Sequence, residues 1–123
     1  MPVRGLDHIN VATARLEETK RFFMDVLDLT EGWRPDFPFP GAWLYLEGRA
    51  VVHLVGIDAE RRPSAEAALD HFAFAAQGYD ETVARLTDKG IQFGAVGVPG
   101  SKIRQLFIRD PNGVNVELNF QGN

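Results

Sequence analysis

Four side chains of the divalent-cation-binding type occupy matched places in this 123-residue chain. Leu6-Asp7-His8 returns as Leu69-Asp70-His71, 63 positions later, and Glu18-Thr19 returns as Glu81-Thr82 at the same offset. With one residue of slip, Val52-His53-Leu54 falls on Val116-Glu117-Leu118. All three histidines and one carboxylate therefore stand at equivalent positions in two copies of one unit. Two or three imidazoles with a glutamate form a standard ligand set for a divalent metal. A carboxylate inside an otherwise apolar strand is costly to bury alone, and a cation supplies its partner. Pseudo-twofold packing of the copies would draw His8, His53, His71 and Glu117 towards one axis. The competing expectation is ordinary hydrogen-bonded histidines that do not converge, beside a solvent-exposed Glu117.

The elements that must position these residues follow from periodicity. Gly5 to Val11 alternates as a strand, with Leu6, His8 and Asn10 on one side. Thr13 is placed to cap a helix whose apolar face is Leu16, Phe22, Phe23, Val26 and Leu27. A turn-rich stretch from Leu29 to Trp43 holds only a weak strand near Glu31 to Pro35. Ala42 to Leu46 and Ala50 to Val55 read as strands joined at Glu47-Gly48-Arg49. The polar segment Asp58 to Ala67 reads as a linker. The second copy repeats the order: strand Leu69 to Ala75, helix Tyr79 to Lys89 ended by Gly90, then strands Ile91 to Val96, Ser101 to Arg109 and Val114 to Phe120. In the last strand Val114, Val116, Leu118 and Phe120 share one face, and Asn115, Glu117 and Asn119 the other. The expected fold class is α+β, with two tandem βαβββ modules in one domain over 1–123: module 1 about 3–57, linker 58–67, module 2 about 68–121.

Each half is near the lower size limit for independent folding, so the two are expected to share a core. Zero cysteines exclude disulfides, thiolate metal sites and a cysteine nucleophile. A net charge of −4 without any Lys/Arg run gives no electrostatic case for nucleic acid or an anionic membrane. The start of the chain carries no signal-peptide pattern and no segment is apolar for long enough to span a bilayer, so a cytoplasmic location is expected.

The phrases LDHINV, LDHFAF and IRDPNGVNVEL, spread over essentially the whole chain, resemble the vicinal oxygen chelate superfamily. That superfamily includes glyoxalase I, extradiol dioxygenases, fosfomycin-resistance proteins, methylmalonyl-CoA epimerase and bleomycin-resistance proteins. The resemblance implies two βαβββ modules whose sheets curve into an open, mixed-sheet barrel around a divalent metal. It places His8, His71 and Glu117 at the family's ligand positions, and His53 at a fourth that glyoxalase I usually fills with glutamate. It also implies a homodimer, since in many short members the two modules around each metal come from different subunits. Zn, Ni, Co, Mn and Fe(II) all suit such a set.

Three reactions remain open. The first is a glyoxalase I (lactoylglutathione lyase)-like isomerase or lyase. Glu117 would be its base on a small molecule that chelates through two adjacent oxygens, with His53 as the second candidate catalytic group. The second is an extradiol ring-cleaving dioxygenase with a 2-His-1-Glu Fe(II) site, leaving His53 as an acid–base group. The third is a bleomycin-resistance-type binding protein without catalysis, which the retained ligand-type residues disfavour. Trp33, Phe37, Phe39 and Trp43 form the best substrate-facing candidate, or else a plug or dimer contact. Arg34, Lys102, Arg104 and Gln105 are candidates to orient anionic or carbonyl groups.

Overall fold

The chain divides into two units, Met1–Arg61 and Arg62–Asn123, in a computed structural model that describes residues 2–122. The division falls inside the stretch read as a linker. Pro63 and Ser64 belong to the second unit, where Ser64 Oγ accepts the backbone N–H of Asn115 at 2.8 Å.

The first unit runs β1 (Ile9–Thr13), α1 (Leu16–Arg21), a π-helical turn (Phe22–Val26), β2 (Thr30–Gly32), β3 (Gly41–Leu46) and β4 (Arg49–Gly56). The sheet order is β1-β4-β3-β2, with β1 parallel to β4 and the remaining pairs antiparallel. Period-2 alternation turns Val11, Ala42, Leu44, Val52 and Leu54 inward, where they are buried with Phe22, Phe23, Val26 and Leu29. Burying side chains of this size is worth roughly 1.5–3 kcal/mol each. Asn10, Trp43 and His53 occupy the opposite face. Gly41 is obligatory: a Cβ there would collide with the carbonyl oxygen of Leu54 and the Arg34 side chain.

The second unit repeats the plan with β5 (His71–Ala76), α2 (Tyr79–Asp88), β6 (Gly94–Gly97), β7 (Ile103–Arg109) and β8 (Asn115–Gln121), ordered β5-β8-β7-β6. Its core is Leu86, Leu106, Ile108, Val116, Leu118 and Phe120. Tyr79 of α2 packs edge-on against Phe120 with ring centroids 5.3 Å apart. Gly90 follows α2 at φ +68, the left-handed turn expected after a helix. The architecture is thus α+β, two open four-stranded mixed sheets of βαβββ form.

Two local expectations need correction. The first strand begins at Ile9, where its ladder with β4 starts at Ile9↔Val52, and not at Gly5; Leu6 is left 77% exposed. Thr13 does not cap α1. It is the buried last residue of β1, and its Oγ1 accepts the Arg15 N–H at 2.8 Å and meets Thr19 Oγ1 at 3.1 Å. Pairing with β4 out to Gly56 keeps Thr13 in the strand. Among the described residues no helix is long and apolar enough to cross a membrane.

Candidate metal centre

Glu117 lies at the centre of the second unit's site. Inward alternation of Val116 and Leu118 sends the intervening residue of β8 to the other face. There the glutamate is only 6% exposed. Its Oε2 accepts hydrogen bonds from Gln105 Nε2 and Asn119 Nδ2, both at 3.1 Å. Its Oε1 lies 3.2 Å from His71 Nε2. The other nitrogen of the same ring, Nδ1, lies 2.8 Å from Asp70 Oδ2. Both nitrogens of His71 therefore face carboxylate oxygens, while a neutral imidazole has one proton to give. The second position must be filled by another proton or by a cation. Two donors each bound about 2.1 Å from one metal stand about 3.0–3.4 Å apart in octahedral or tetrahedral geometry. The His71–Glu117 separation falls in that range. Phe107 stands edge-on to the His71 ring at 6.0 Å.

The first unit repeats the aspartate–histidine pair and differs beyond it. His8 Nδ1 lies 2.7 Å from Asp7 Oδ2, which leaves Nε2 of a neutral ring as an acceptor. The His8 contact also holds the Asp7 carboxyl below the usual carboxylate range. In metal sites, a carboxylate accepting the far N–H of a ligating histidine fixes its tautomer and orientation. His8 stacks on His53 at 3.7 Å and 11°, and His53 stacks on Trp43 at 4.0 Å and 13°. His53 Nε2 donates to the Ala50 carbonyl oxygen at 3.2 Å. Burial lowers the His53 pKa, the neighbouring His8 adds to this, and the Ala50 contact works against it. The lone pairs of the two stacked rings lie in separate, nearly parallel planes. In this arrangement His53 stands beside the point that His8 addresses.

Each unit thus brings together two of the four matched residues, His8 with His53 and His71 with Glu117. Among the described residues no group of three or more histidines or carboxylates gathers as a metal site. The aromatic candidates split into two clusters. Trp33 is 71% exposed and edge-on to Trp43 at 5.7 Å, which joins it to the histidine stack. Phe37 and Phe39 instead stack on each other at 5.1 Å beneath the Arg34 guanidinium. Gln105 reaches Glu117, whereas Arg104 lies on the other side of β7, 3.7 Å over the Tyr79 ring. Lys102 is exposed in the turn before β7.

Asp7, Asp70 and Asn119 escaped the sequence reading as site residues. The repeated Leu-Asp-His phrase contained the signal for both aspartates. Strict alternation had sent Asp7 to the opposite face, but it precedes β1, where alternation does not apply. Asn119 Oδ1 is buried without a hydrogen-bond partner, an acceptor left free next to Glu117.

The family described as Glyoxalase/Bleomycin resistance protein/Dioxygenase superfamily matches residues 5–118. No curated protein matches the chain. Among solved structures, one from Bacillus anthracis described as of the glyoxalase family is 22% identical, with TM-score 0.81, covering 97% of this chain and 96% of that one. A lactoylglutathione lyase from Agrobacterium tumefaciens is 22% identical at TM-score 0.73, covering 98% and 96%. A variant of the fosfomycin resistance protein FosX from Listeria monocytogenes, complexed with Mn(II) and dihydroxypropylphosphonic acid, is 17% identical at TM-score 0.77, covering 97% and 93%. These structures share the fold.

Proposed function

The chain belongs to the Glyoxalase/Bleomycin resistance protein/Dioxygenase superfamily, and from that premise we propose that it is a divalent-metal-dependent enzyme most like a glyoxalase I-type isomerase or lyase. His71 and Glu117 would hold the metal with a first-module histidine, His8, the two modules coming from one chain or from two copies. The observation that carries this reading is the His71 ring, which has a carboxylate oxygen at each of its two nitrogens. Bound there, a divalent cation would act as a Lewis acid towards two adjacent oxygens of a small-molecule substrate. Glu117 Oε2 is fixed by two side-chain amides, so Oε1, the oxygen turned to His71, would be the one to hold the cation and, on loosening from it, to exchange a proton with the substrate carbon. Trp43 and Trp33 would supply an apolar wall on the histidine side. A homodimer in the cytoplasm is part of the same proposal.

One observation favours a second reading. His53 stacks beside His8 with Nε2 on a carbonyl, which leaves two histidines and one glutamate as ligands. That is the facial set of non-haem Fe(II) oxygenases, with His53 as a neighbouring acid–base group. Elemental analysis of wild type, Glu117→Ala and His71→Ala tests the metal. Bound divalent metal in wild type and loss in both variants is expected, and equal content in all three would end the assignment. Oxygen-independent turnover of a hemithioacetal supports the isomerase, and oxygen uptake with catechols the dioxygenase.

A further inference from the structure

We propose that a cleft beside β6 and β7 of the second unit binds an organic oxyanion, carboxylate or phosphonate, carried on an apolar arm and held by Arg109. The cleft measures about 590 Å³ and is lined by Gln92, Phe93, Gly94, Phe107, Arg109 and Asn115, among others. Sheet register ties it to the candidate metal centre. His71, Asn115 and Arg109 stand opposite one another across β5, β8 and β7. Ala73, Glu117, Phe107 and Gly94 form the adjoining row. Arg109 is therefore a diagonal cross-strand neighbour of Glu117, at about 7–8 Å between backbones. Phe107 belongs to both places, edge-on to His71 and lining the cleft.

The lining specifies the ligand. Phe93 and Phe107 give apolar walls, and Gly94 leaves room beside them, since a Cβ there would meet nothing within 4 Å. Among the described residues of this face, Arg109 is the one carrying a full positive charge. Its side chain is exposed, and no carboxylate among the described residues takes its guanidinium. Arg104, by contrast, is spent on Tyr79 across the sheet. A planar guanidinium with the Asn115 amide nearby suits two-point recognition of an oxyanion. That the bound anion is the far end of the substrate rests on the function proposed above; binding of the anion itself does not.

Titration of the metal-free full chain by amide NMR with benzoate, phenylphosphonate and benzamide tests this. Shifts should centre on Gly94, Phe107 and Asn115, and the better anion should saturate at a concentration at least 10-fold below benzamide. Which anion binds tighter identifies the oxyanion. Arg109→Gln should erase the preference over benzamide and Arg109→Lys retain part of it. Gly94→Val, whose side chain has open space to occupy, should weaken all three probes while the spectrum stays folded. Equal binding of benzamide and both anions by wild type, or an unchanged preference in Arg109→Gln, overturns the proposal. Glu117→Gln separates it from the metal reading, because anion binding should persist there. Arg109-dependent anion binding in a wild type that takes up no metal would sink the enzymatic reading alone.

Discussion

His53 and Glu117 hold the same register position in the two sheets. His53 stands between Asn10 of β1 and Trp43 of β3; Glu117 stands between Ala73 of β5 and Phe107 of β7. Their surroundings have diverged. His53 is held between two flat rings, whereas Glu117 is held by two amides with one oxygen turned to a histidine. One position carries an aromatic-stacked imidazole and the other a fixed carboxylate.

Metal retention should separate these roles. His8→Ala is expected to lose bound metal as Glu117→Ala does, while His53→Ala keeps it and loses turnover. Metal content and kcat measured on the same preparations check this. Loss of metal in His53→Ala would make that residue a ligand.

The aspartates that precede the two site histidines should tune metal affinity from outside the ligand set. Asp70→Ala and Asp7→Ala are each expected to weaken metal binding about 10- to 100-fold, with Asp→Asn recovering part of it. Calorimetric titration with Zn(II) or Mn(II), alongside thermal melts showing an intact fold, reads the effect.

Gln105→Leu removes one donor from a buried carboxylate and should cost about 1–3 kcal/mol of stability in urea unfolding. In a Glu117→Leu background the same change should cost much less, because the acceptor has gone. Equal penalties in the two backgrounds would show that the hydrogen bond carries no coupling.

Asp110 predicts a pH dependence away from the site. Burial raises its pKa above the ordinary 3.8, against hydrogen bonds from the Asn112 side chain and from the Val114 and Asn112 N–H groups. The folded value lies above the unfolded one. The stability linked to protonated Asp110 is therefore present at low pH and lost as pH rises through the folded value. Asp110→Ala removes the turn bonds, at a cost of about 1–3 kcal/mol. That cost should be larger near pH ~4 than near neutrality. Urea melts of both proteins at the two pH values decide it.

The last strand shows how far alternation alone reaches. Val116, Leu118 and Phe120 face inward and Glu117 outward, as a period of 2 requires. The same rule sets Gln105 and Arg104 on opposite faces of β7, and only Gln105 meets Glu117. The aromatic stretch was less legible. Composition grouped Trp33, Phe37, Phe39 and Trp43, yet β3 pairing fixes Trp43 on His53 while Phe37 and Phe39 turn to Arg34. Strand pairing is a long-range choice, and a run of prolines and aromatics does not encode it.

The sequence by itself determined the duplicated βαβββ plan, the inward and outward faces of its strands, and the four matched residues, because repetition and side-chain period are properties of a single line of residues. Only the tertiary structure decided which nitrogen of each histidine is engaged, that Asp7 and Asp70 turn to the rings beside them, and that His53 is stacked between two rings. Those outcomes depend on rotamers and cross-strand neighbours, which are chosen when the sheets form.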